Sequence, residues 1–451
     1  MPALQTMFWD EACAEALSDA RLLAAMARFE GALAKASVGA GLVPADAAET
    51  IARVAAGAKF DADAIGKAAR HSATIAIPFV KSLTEQVAAV SADAARYVHF
   101  GATSQDVVET GVVLCLGPAS ERVISLAKRA GDAVAAIARR HAKTPMVART
   151  LLQPAIPVSF GWKAAVWLSA ITHARAGFSS AAANVRRLQF GGAGGTLSSY
   201  GPHGEAIAGA LAGDLGLARA VITWHSVRDG FARLGSETAI LAGATGKIAR
   251  DIALLMQPEI GEVSEPQGAG RGGSSAMPHK RNPVGCVAAL EAAQRAPHLA
   301  AALLSQLSPE HERGLGHWQG QWFTLRDLYC STASALAAMA EVLEGLVVDE
   351  RAMRANLDRS RGLVFSENVS LQLSRTLGRQ AAHALTEKLC ETAVREGRTL
   401  AEVLRTDAAG KSMPAQELDA LFDPQNCFGS APAMIERALA EWSQSPPSLK
   451  T

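Results

Sequence analysis

The residues best suited to chemistry are concentrated in one polar segment, EPQGAGRGGSSAMPHKRNP, which occupies positions 265–283. It combines clustered glycines with the adjacent hydroxyls of Ser274 and Ser275 and with the polar side chains of Lys280 and Asn282. Glycines let backbone N–H groups turn toward a ligand, hydroxyls exchange protons, and cations bind carboxylates. An ordinary flexible connector seldom carries all three, so we interpret the segment as a catalytic loop over a site for anions.

Two nucleotide-binding glycine motifs are excluded. Gly268, Gly270 and Gly273 have the spacing GxGxxG, but the preceding EIGEVSEPQ is polar where that fingerprint requires a buried strand. The pairs Gly246-Lys247 and Gly410-Lys411 each lack either the hydroxyl or the earlier glycine of a P-loop. The sequence therefore predicts no nucleotide phosphate site.

A second polar turn, GATSQD, ends just before an apolar run that starts at Val107. Thr103 or Ser104 can cap the helix that this run predicts, and capping is the interpretation that the motif favours on its own. The same geometry points the first N–H groups of the helix outward, which suits a carboxylate.

A third polar turn, VARTLLQPAIP, lies at positions 147–157. It carries Arg149, Thr150 and Gln153, whose side chains can all bind a carboxylate or donate hydrogen bonds to one.

Long helices must position these turns, because apolar residues recur at alternating spacings of three and four over two long stretches. The first stretch is Phe160, Ala164, Trp167, Ile171, Ala174, Phe178, Ala181, Val185 and Leu188. The second is Leu234, Thr238, Leu241, Thr245, Ile248, Ile252 and Leu255. Helices of about thirty residues are about 45 Å long, so we expect a bundle whose surplus apolar surface is buried by oligomerisation.

The pattern predicts an all-α fold in which a long central helical bundle is flanked by two smaller helical domains. We expect an N-terminal domain over 1–106, a central bundle carrying the catalytic loop over 107–348, and a C-terminal domain over 349–451. Period-two strand patterns are nearly absent, and Pro118 is expected to break the helical segment that contains it.

Composition limits the function classes. The chain has 451 residues, 44 basic and 43 acidic side chains, and a formal net charge of +1, which gives no sign of nucleic-acid binding. Its six cysteines are scattered without zinc spacing, and no metal site is expected. No signal peptide or membrane span is apparent, so we expect a soluble cytoplasmic protein.

Together the three turns resemble the three signature regions of the fumarase/aspartase superfamily, whose members add or eliminate groups beta to a carboxylate without a cofactor. GSSAMPHKRNP is similar to the third region, GSSxMPxKxNP, at every fixed position. GATSQDVVETG is similar to the first region and VARTLLQPAIP to the second. Within the superfamily, YVHFGATSQD, LQFGGAG, LLMQPEIGEV, SPEHERGLGHW and NLDRSRGLVFSE most resemble the branch that lactonizes carboxymuconates, and the likeness covers essentially the whole chain.

The resemblance implies a helical homotetramer with active sites shared by three subunits, a small polycarboxylate substrate and no cofactor. It implies a catalytic role for Ser274, which would exchange the proton alpha to a carboxylate, and for Lys280, with the proton donor left open between them. The substrate-binding residues that it implies are His99, Thr103, Ser104, Arg149, Thr150, Gln153, Ser275, Met277, Asn282 and Arg313. For His99, a substrate contact and a buried structural hydrogen bond are equally supported.

One departure from the superfamily pattern concerns Leu151 and Pro154, which stand where relatives carry an aromatic residue or a histidine. No imidazole is available from this turn, and the wall of the expected pocket becomes more apolar. A 3-sulfomuconate substrate therefore remains an alternative to 3-carboxymuconate. An adenylosuccinate-type lyase is a further alternative, which the missing histidine disfavours, and a crystallin-like structural protein is disfavoured by the intact third region.

Overall fold

Helices supply nearly all regular structure in the computed structural model, which describes residues 3–268, 272–273, 277 and 279–444. The all-α prediction is therefore confirmed, and the strands are limited to two short antiparallel pairs among the described residues. No helix in those ranges is long and apolar enough to span a bilayer.

Seven helices precede the bundle, and only the third is long. They are α1 Ala3–Phe8, α2 Glu11–Ala16, α3 Asp19–Ala36, α4 Ala45–Gly57, α5 Ala62–Ala69, α6 Ala76–Ala88 and α7 Ala92–Ala95. The α3 helix packs against α4 and against the first helix of the bundle through a face that buries Met26, Phe29 and Leu33.

The central bundle contains the longest helices and both pairs of strands. Its elements are α8 Ser104–Arg140, β1 Pro145–Thr150, β2 Gln153–Ser159, α9 Phe160–Asn184, α10 Gly204–Leu215, α11 Asp229–Leu255, β3 Val263–Ser264, α12 Val284–Leu304, α13 Gln321–Glu344 and β4 Val347–Val348. Every member of the two predicted apolar stretches is buried, which confirms the periodicity. The helix that carries the first stretch, α9, ends at Asn184, and the side chains of Val185 and Leu188 are buried beyond its end.

The predicted break at Pro118 is wrong, because α8 runs through it without interruption. Proline in a helix interior removes one hydrogen bond and costs about 3 kcal/mol or more. Pro118 is exposed, whereas Leu116, Ala119 and Val123 around it are fully buried. Burying each large apolar side chain contributes about 1.5–3 kcal/mol, so packing on the bundle outweighs the local defect.

The third polar turn is a β-hairpin, which the sequence pattern did not predict. β1 and β2 pair antiparallel from Pro145↔Ser159 to Thr150↔Gln153. Pro154 and Pro157 argue against a central strand, but a two-stranded ribbon leaves each strand an open edge where proline is tolerated.

The C-terminal part consists of shorter helices, as expected from position 349 onward. They are α14 Glu350–Arg359, α15 Ser366–Leu377, α16 Arg379–Glu396, α17 Leu400–Thr406, α18 Ala408–Lys411, α19 Ala415–Leu421 and α20 Ala431–Gln444. α15 to α19 surround their own small core, whereas α20 returns to the bundle, where Trp442 donates a hydrogen bond to Asp132 (2.9 Å). The three domain boundaries remain predictions.

Candidate active site

The first cluster of predicted site residues lies at the N-terminal end of α8. Thr103 is the N-cap residue, and its backbone N–H donates to the carboxylate of Asp106 at 3.0 Å. The capping interpretation of the TSQD motif is thus confirmed. A helix of 37 residues presents a positive partial charge at this end, so the position of Thr103 and Ser104 also suits an anionic ligand.

Asp106 joins this cap to a glycine-rich loop that follows α9. Its fully buried carboxylate accepts hydrogen bonds from the backbone N–H groups of Gly191 (3.0 Å) and Gly192 (2.9 Å) and lies 2.7 Å from Nε2 of His225. Four donors from three separate segments therefore converge on one carboxylate. Because hydrogen bonds to a charged group are stronger than neutral ones, Asp106 fixes the cap and the loop as one unit.

A second buried carboxylate, that of Glu109, lies one helical turn further along α8. It forms an ion pair with Arg228 (2.6 Å) and accepts hydrogen bonds from Gln105 (2.9 Å), Gln189 (3.3 Å) and Gln321 (2.9 Å). These partners lie on α8, on the loop after α9, just before α11 and at the start of α13. The network holds together the four segments that surround the N-terminal end of α8.

Arg313 approaches this site from the connection between α12 and α13. Its Nη1 donates to the hydroxyl of Thr103 (2.9 Å), and its Nη2 donates to the carbonyls of Gly192 (3.3 Å) and Ala193 (3.1 Å). Its Nε is buried without a partner among the described residues. A bidentate contact with a substrate carboxylate requires the guanidinium to exchange these neutral partners, which a charged acceptor favours.

His99 stands beside the same cap and contacts a buried carboxylate. Its Nδ1 lies 2.7 Å from Oε1 of Glu30 on α3, and the other oxygen of Glu30 is buried without a partner in the described part of the chain. Burial lowers the pKa of the imidazole, but the charge and hydrogen bond of Glu30 and the charge of Asp106 outweigh it, so the pKa of His99 lies above its usual value. The structural hydrogen bond is therefore present, and no described residue bonds Nε2, which leaves that nitrogen for a ligand.

We expect Glu30→Gln to move the high-pH limb of the kcat/KM profile to lower pH. A raised pKa keeps His99 protonated, and so able to bind a carboxylate, until the pH rises through that pKa. The ion pair of His99 with Glu30 likewise stabilises the fold fully below the unfolded-state pKa of about 6.5, and this stabilisation is lost as the pH rises through the folded-state pKa. Asp106 raises the same pKa and stays in place in the variant, as do Arg313 and Tyr200 nearby. A limb that does not move in Glu30→Gln would show that His99 does not bind substrate as a cation.

The hairpin residues lie at the opposite end of the bundle. Both Nη groups of Arg149 bind Glu262, at 2.9 and 2.7 Å, and Asn356 donates a further hydrogen bond to this buried carboxylate at 2.7 Å. Arg149 therefore anchors the hairpin to the loop before β3. Thr150 and Gln153 form the last pair of the hairpin, and both are exposed.

The catalytic loop also begins and ends at this second end. Its base is closed by a hydrogen bond from the backbone of Asn282 to Gly272 (2.9 Å), where a φ of +69° and the close approach of the Asn282 carbonyl both require glycine. Lys280 and Met277 are exposed and linked by a backbone hydrogen bond (3.0 Å), and Glu265 accepts hydrogen bonds from the first amides of α12. Ser274 and Ser275 lie outside the described residues.

The two ends of the bundle are far apart within one chain. The 37 residues of α8 separate Thr103 from the hairpin by about 55 Å, and the 27 residues of α11 separate the Glu109 network from the catalytic loop by about 40 Å. One chain therefore brings together His99, Thr103, Ser104 and Arg313, but it does not bring Lys280 or Gln153 to them. Among the described residues, no three His, Cys, Asp or Glu side chains converge as a metal ion requires.

Four residues that organise the site were not predicted. Glu30 carried a signal, because it stands four residues after Met26 on the apolar face of α3, where an isolated charge needs a partner. Asp106 and Glu109 follow the cap at helical spacing, but that spacing alone does not indicate that their carboxylates are buried. No sequence pattern around His225 indicated a role in the site, because its partner Asp106 lies 119 positions away.

Comparisons with known proteins agree with this architecture. A family model described as Lyase matches residues 5–298, and one described as Adenylosuccinate lyase C-terminus matches residues 362–438. The chain is 44% identical over 439 residues to a 3-carboxy-cis,cis-muconate cycloisomerase of Bradyrhizobium diazoefficiens, covering 97% of each protein. It is 40% identical over 433 residues to a nitrosuccinate lyase of Streptomyces davaonensis, covering 94% of this chain and 91% of that protein. The crystal structure of the 3-carboxy-cis,cis-muconate lactonizing enzyme from Pseudomonas putida superimposes with a TM-score of 0.92 at 40% identity, over 98% of this chain and 99% of that one.

Proposed function

The chain belongs to the fumarase/aspartase superfamily of lyases, and we propose that it is a cofactor-independent cycloisomerase that lactonizes 3-carboxy-cis,cis-muconate. The observation that carries the proposal is the site at the N-terminal end of α8. There Arg313 and His99, whose pKa the carboxylate of Glu30 raises, lie beside the helix terminus, in a chain whose similarity to a muconate cycloisomerase covers 97% of its length.

The reaction requires charge stabilisation and one proton. A carboxylate oxygen of the substrate adds to a carbon of the conjugated double bond, forming the C–O bond of the lactone while the π electrons move toward the carbon alpha to another carboxylate. That carbon then accepts a proton. The tricarboxylate consumes one proton and becomes a lactone with two carboxylates, and the intermediate is an aci-carboxylate with two negative charges on one group.

The residues of this chain can supply those requirements. Arg313, Thr103 and the α8 terminus hold substrate carboxylates, and each preorganised donor to the developing charge is worth roughly 2.7–4 kcal/mol. Lys280 and Asn282 bind at the reacting end, and Ser274 exchanges the alpha proton. A serine is a weak acid in water, so Ser274 needs the cation of Lys280 or nearby backbone amides to lower its pKa.

An ultraviolet assay with four substrates tests the proposed function. Lactonization removes the conjugated diene, so absorbance falls with 3-carboxymuconate and proton uptake accompanies the change. The parallel substrates are 3-sulfomuconate, unsubstituted muconate and adenylosuccinate. Faster turnover of the sulfonate would identify the alternative cycloisomerase, and turnover of adenylosuccinate alone would contradict the proposal.

A beta-eliminating lyase is the second candidate. It is favoured by the match to the adenylosuccinate lyase C-terminus and by the similarity to a nitrosuccinate lyase. Leu151 and Pro154 leave the hairpin without the imidazole that an adenylosuccinate-type lyase normally uses. Nitrosuccinate therefore belongs in the assay as a fifth substrate, and release of fumarate from it would favour this candidate.

We also propose a homotetramer in which each active site combines residues of several chains. About 55 Å separates Thr103 from the hairpin in one chain, whereas a muconate is far shorter, so other copies must supply the hairpin and the catalytic loop. Val166 of α9, Ile240 of α11 and Val287 of α12 are large apolar residues exposed on the long helices, which supports burial of these faces between subunits.

Intersubunit complementation is expected between two inactive variants, Arg313→Ala and Lys280→Met. Mixed tetramers contain some sites with an intact Arg313 from one chain and an intact Lys280 from another, so activity returns after co-expression or joint refolding. Each variant treated alone is the control. A mixture that stays inactive, although sedimentation shows mixed tetramers, would contradict the shared site.

A further inference from the structure

The LQFGGAG motif, at positions 188–194, carries no side chain that the proposed reaction uses. Its backbone nevertheless contacts the site, because the carbonyls of Gly192 (3.3 Å) and Ala193 (3.1 Å) accept hydrogen bonds from Nη2 of Arg313. The other described acceptor on the site side of this guanidinium is the hydroxyl of Thr103 (2.9 Å). Whatever fixes the motif therefore also fixes the carbonyls that orient Arg313.

Gln189 supplies the only polar side chain of the motif, and it is fully buried. Its backbone N–H donates to the hydroxyl of Thr110 (3.2 Å), and that hydroxyl donates to the carbonyl of Gln189 (2.9 Å). Its side-chain amide donates to Glu109 (3.3 Å) and accepts from the backbone N–H of Trp224 (3.0 Å). Four polar groups of one residue thus tie the motif to α8 and to the segment before α11.

The neighbours of Gln189 are bound in the same way. The indole Nε1 of Trp224 donates to the carbonyl of Leu188 (3.0 Å), directly before Gln189. The amides that follow Gln189 in the motif are bound by the carboxylate of Asp106. Because partners on both sides hold this stretch, its carbonyls have a defined position relative to Arg313.

We infer that Gln189 is a positioning residue, which holds the motif so that its carbonyls orient the guanidinium of Arg313 toward a substrate carboxylate. The inference rests on the proposed function, because the binding of a carboxylate by Arg313 does. Gln189 is buried and acts through the motif, not by contact with the substrate. A guanidinium that is already oriented loses less freedom when it binds, so the motif increases affinity for the substrate.

Gln189→Met tests the inference with a side chain of similar length that lacks the amide. The probe is propane-1,2,3-tricarboxylate, a saturated tricarboxylate that cannot lactonize. We expect its affinity in calorimetry to fall about tenfold, as for the loss of one hydrogen bond to a charged group. The value of kcat/KM for 3-carboxymuconate should fall by a similar factor, mainly through KM, because Arg313 binds the substrate in its ground state.

Gln321→Met is the matched control, because Gln321 is also buried and also donates to Glu109 (2.9 Å). None of its hydrogen bonds in the described part of the chain reaches the motif. Both variants should lower the thermal midpoint, but Gln321→Met should weaken the probe much less and should not speed hydrogen exchange in the peptide 188–197. Equal losses of affinity would show that Gln189 acts through stability alone, and would overturn the inference.

A double-mutant cycle with Arg313→Ala identifies the group through which Gln189 acts. If that group is Arg313, adding Gln189→Met to Arg313→Ala weakens binding of the probe no further. Loss of affinity by the same factor in both backgrounds, or unchanged affinity in Gln189→Met alone, overturns the inference.

Thr110→Val provides a second route if Gln189→Met does not fold. It removes the hydroxyl that binds the backbone of Gln189, whereas Thr110→Ser keeps it. We expect Thr110→Val to lose probe affinity and Thr110→Ser to restore it, and a folded Thr110→Val with wild-type affinity overturns the inference. Wild-type lactonization leaves the proposed function intact in every such case. If the wild type does not lactonize 3-carboxymuconate, the proposed function fails, and KM for whichever assay substrate it converts replaces the probe in the same comparisons.

Discussion

Replacing Lys280 with methionine is expected to lower kcat and raise KM together, so that kcat/KM for 3-carboxymuconate falls about a thousandfold or more. In the proposed mechanism the ammonium group binds a carboxylate in the ground state and a doubly charged aci-carboxylate in the intermediate. Loss of one preorganised donor costs about 10²–10³ in rate before the binding loss is added. Lys280 is exposed in the single chain, but in the shared site that we propose, exclusion of water by the other subunits would strengthen the interaction of its charge with the substrate. Steady-state kinetics of Lys280→Met provide the measurement, with the exposed Lys388→Met of α16 as the control.

The companion variant Ser274→Ala separates proton transfer from charge stabilisation. If Ser274 exchanges the alpha proton, kcat falls about a hundredfold or more while KM changes little, because the carboxylate contacts survive. Ser275→Ala should produce a smaller loss, since the proposed mechanism gives that hydroxyl no part in proton transfer. Near-normal kcat in Ser274→Ala, combined with an inactive Lys280→Met, would assign the proton to the lysine.

Asp106→Asn is expected to damage both stability and activity. The carboxylate receives donors from Thr103, Gly191, Gly192 and His225, and an amide supplies only one acceptor oxygen and turns two N–H groups toward buried donors. Loss of a buried charge of this kind costs about 3–5 kcal/mol of unfolding free energy.

The loop that carries the carbonyl partners of Arg313 also loosens in this variant, so we expect kcat/KM to fall about a hundredfold. Denaturant unfolding and steady-state kinetics measure the two effects. Asp358→Asn is the control, because its exposed pair with Arg354 is worth at most about 1 kcal/mol. An Asp106→Asn variant with wild-type stability would contradict the role of this carboxylate in holding the site.

The bundle could be predicted from sequence because each helix forms its backbone hydrogen bonds within itself. The spacing of the apolar residues then indicates which face of the helix is buried. The stretch from Leu234 to Leu255 illustrates this, since every predicted position is buried. The β1–β2 hairpin could not be predicted in the same way. Its two strands form only by pairing with each other, and its prolines argue against a sheet. The turn between them consists of Leu151 and Leu152 and lacks the residues that usually occupy such turns.

The site was predictable only in its local parts. The cap at Thr103 follows from adjacent residues, whereas the bond between Arg313 and Thr103 joins positions 210 apart and depends on how α8, α12 and α13 pack. Arg149 was predicted as a substrate contact, yet its guanidinium is bound to Glu262, which is 113 positions away. A role for Arg149 in substrate binding remains a prediction, and the structure shows it as the anchor of the hairpin.

The proposed reaction, protonation of carbon coupled to lactone closure without a cofactor, is tested by the product formed in D₂O. Dialysed enzyme in EDTA is incubated with 3-carboxy-cis,cis-muconate, and the product is examined by proton NMR and mass spectrometry. We expect a lactone that carries one deuteron, on the carbon alpha to a carboxylate. Unchanged substrate in the presence of intact tetramer, or a lactone without that deuteron, would contradict it.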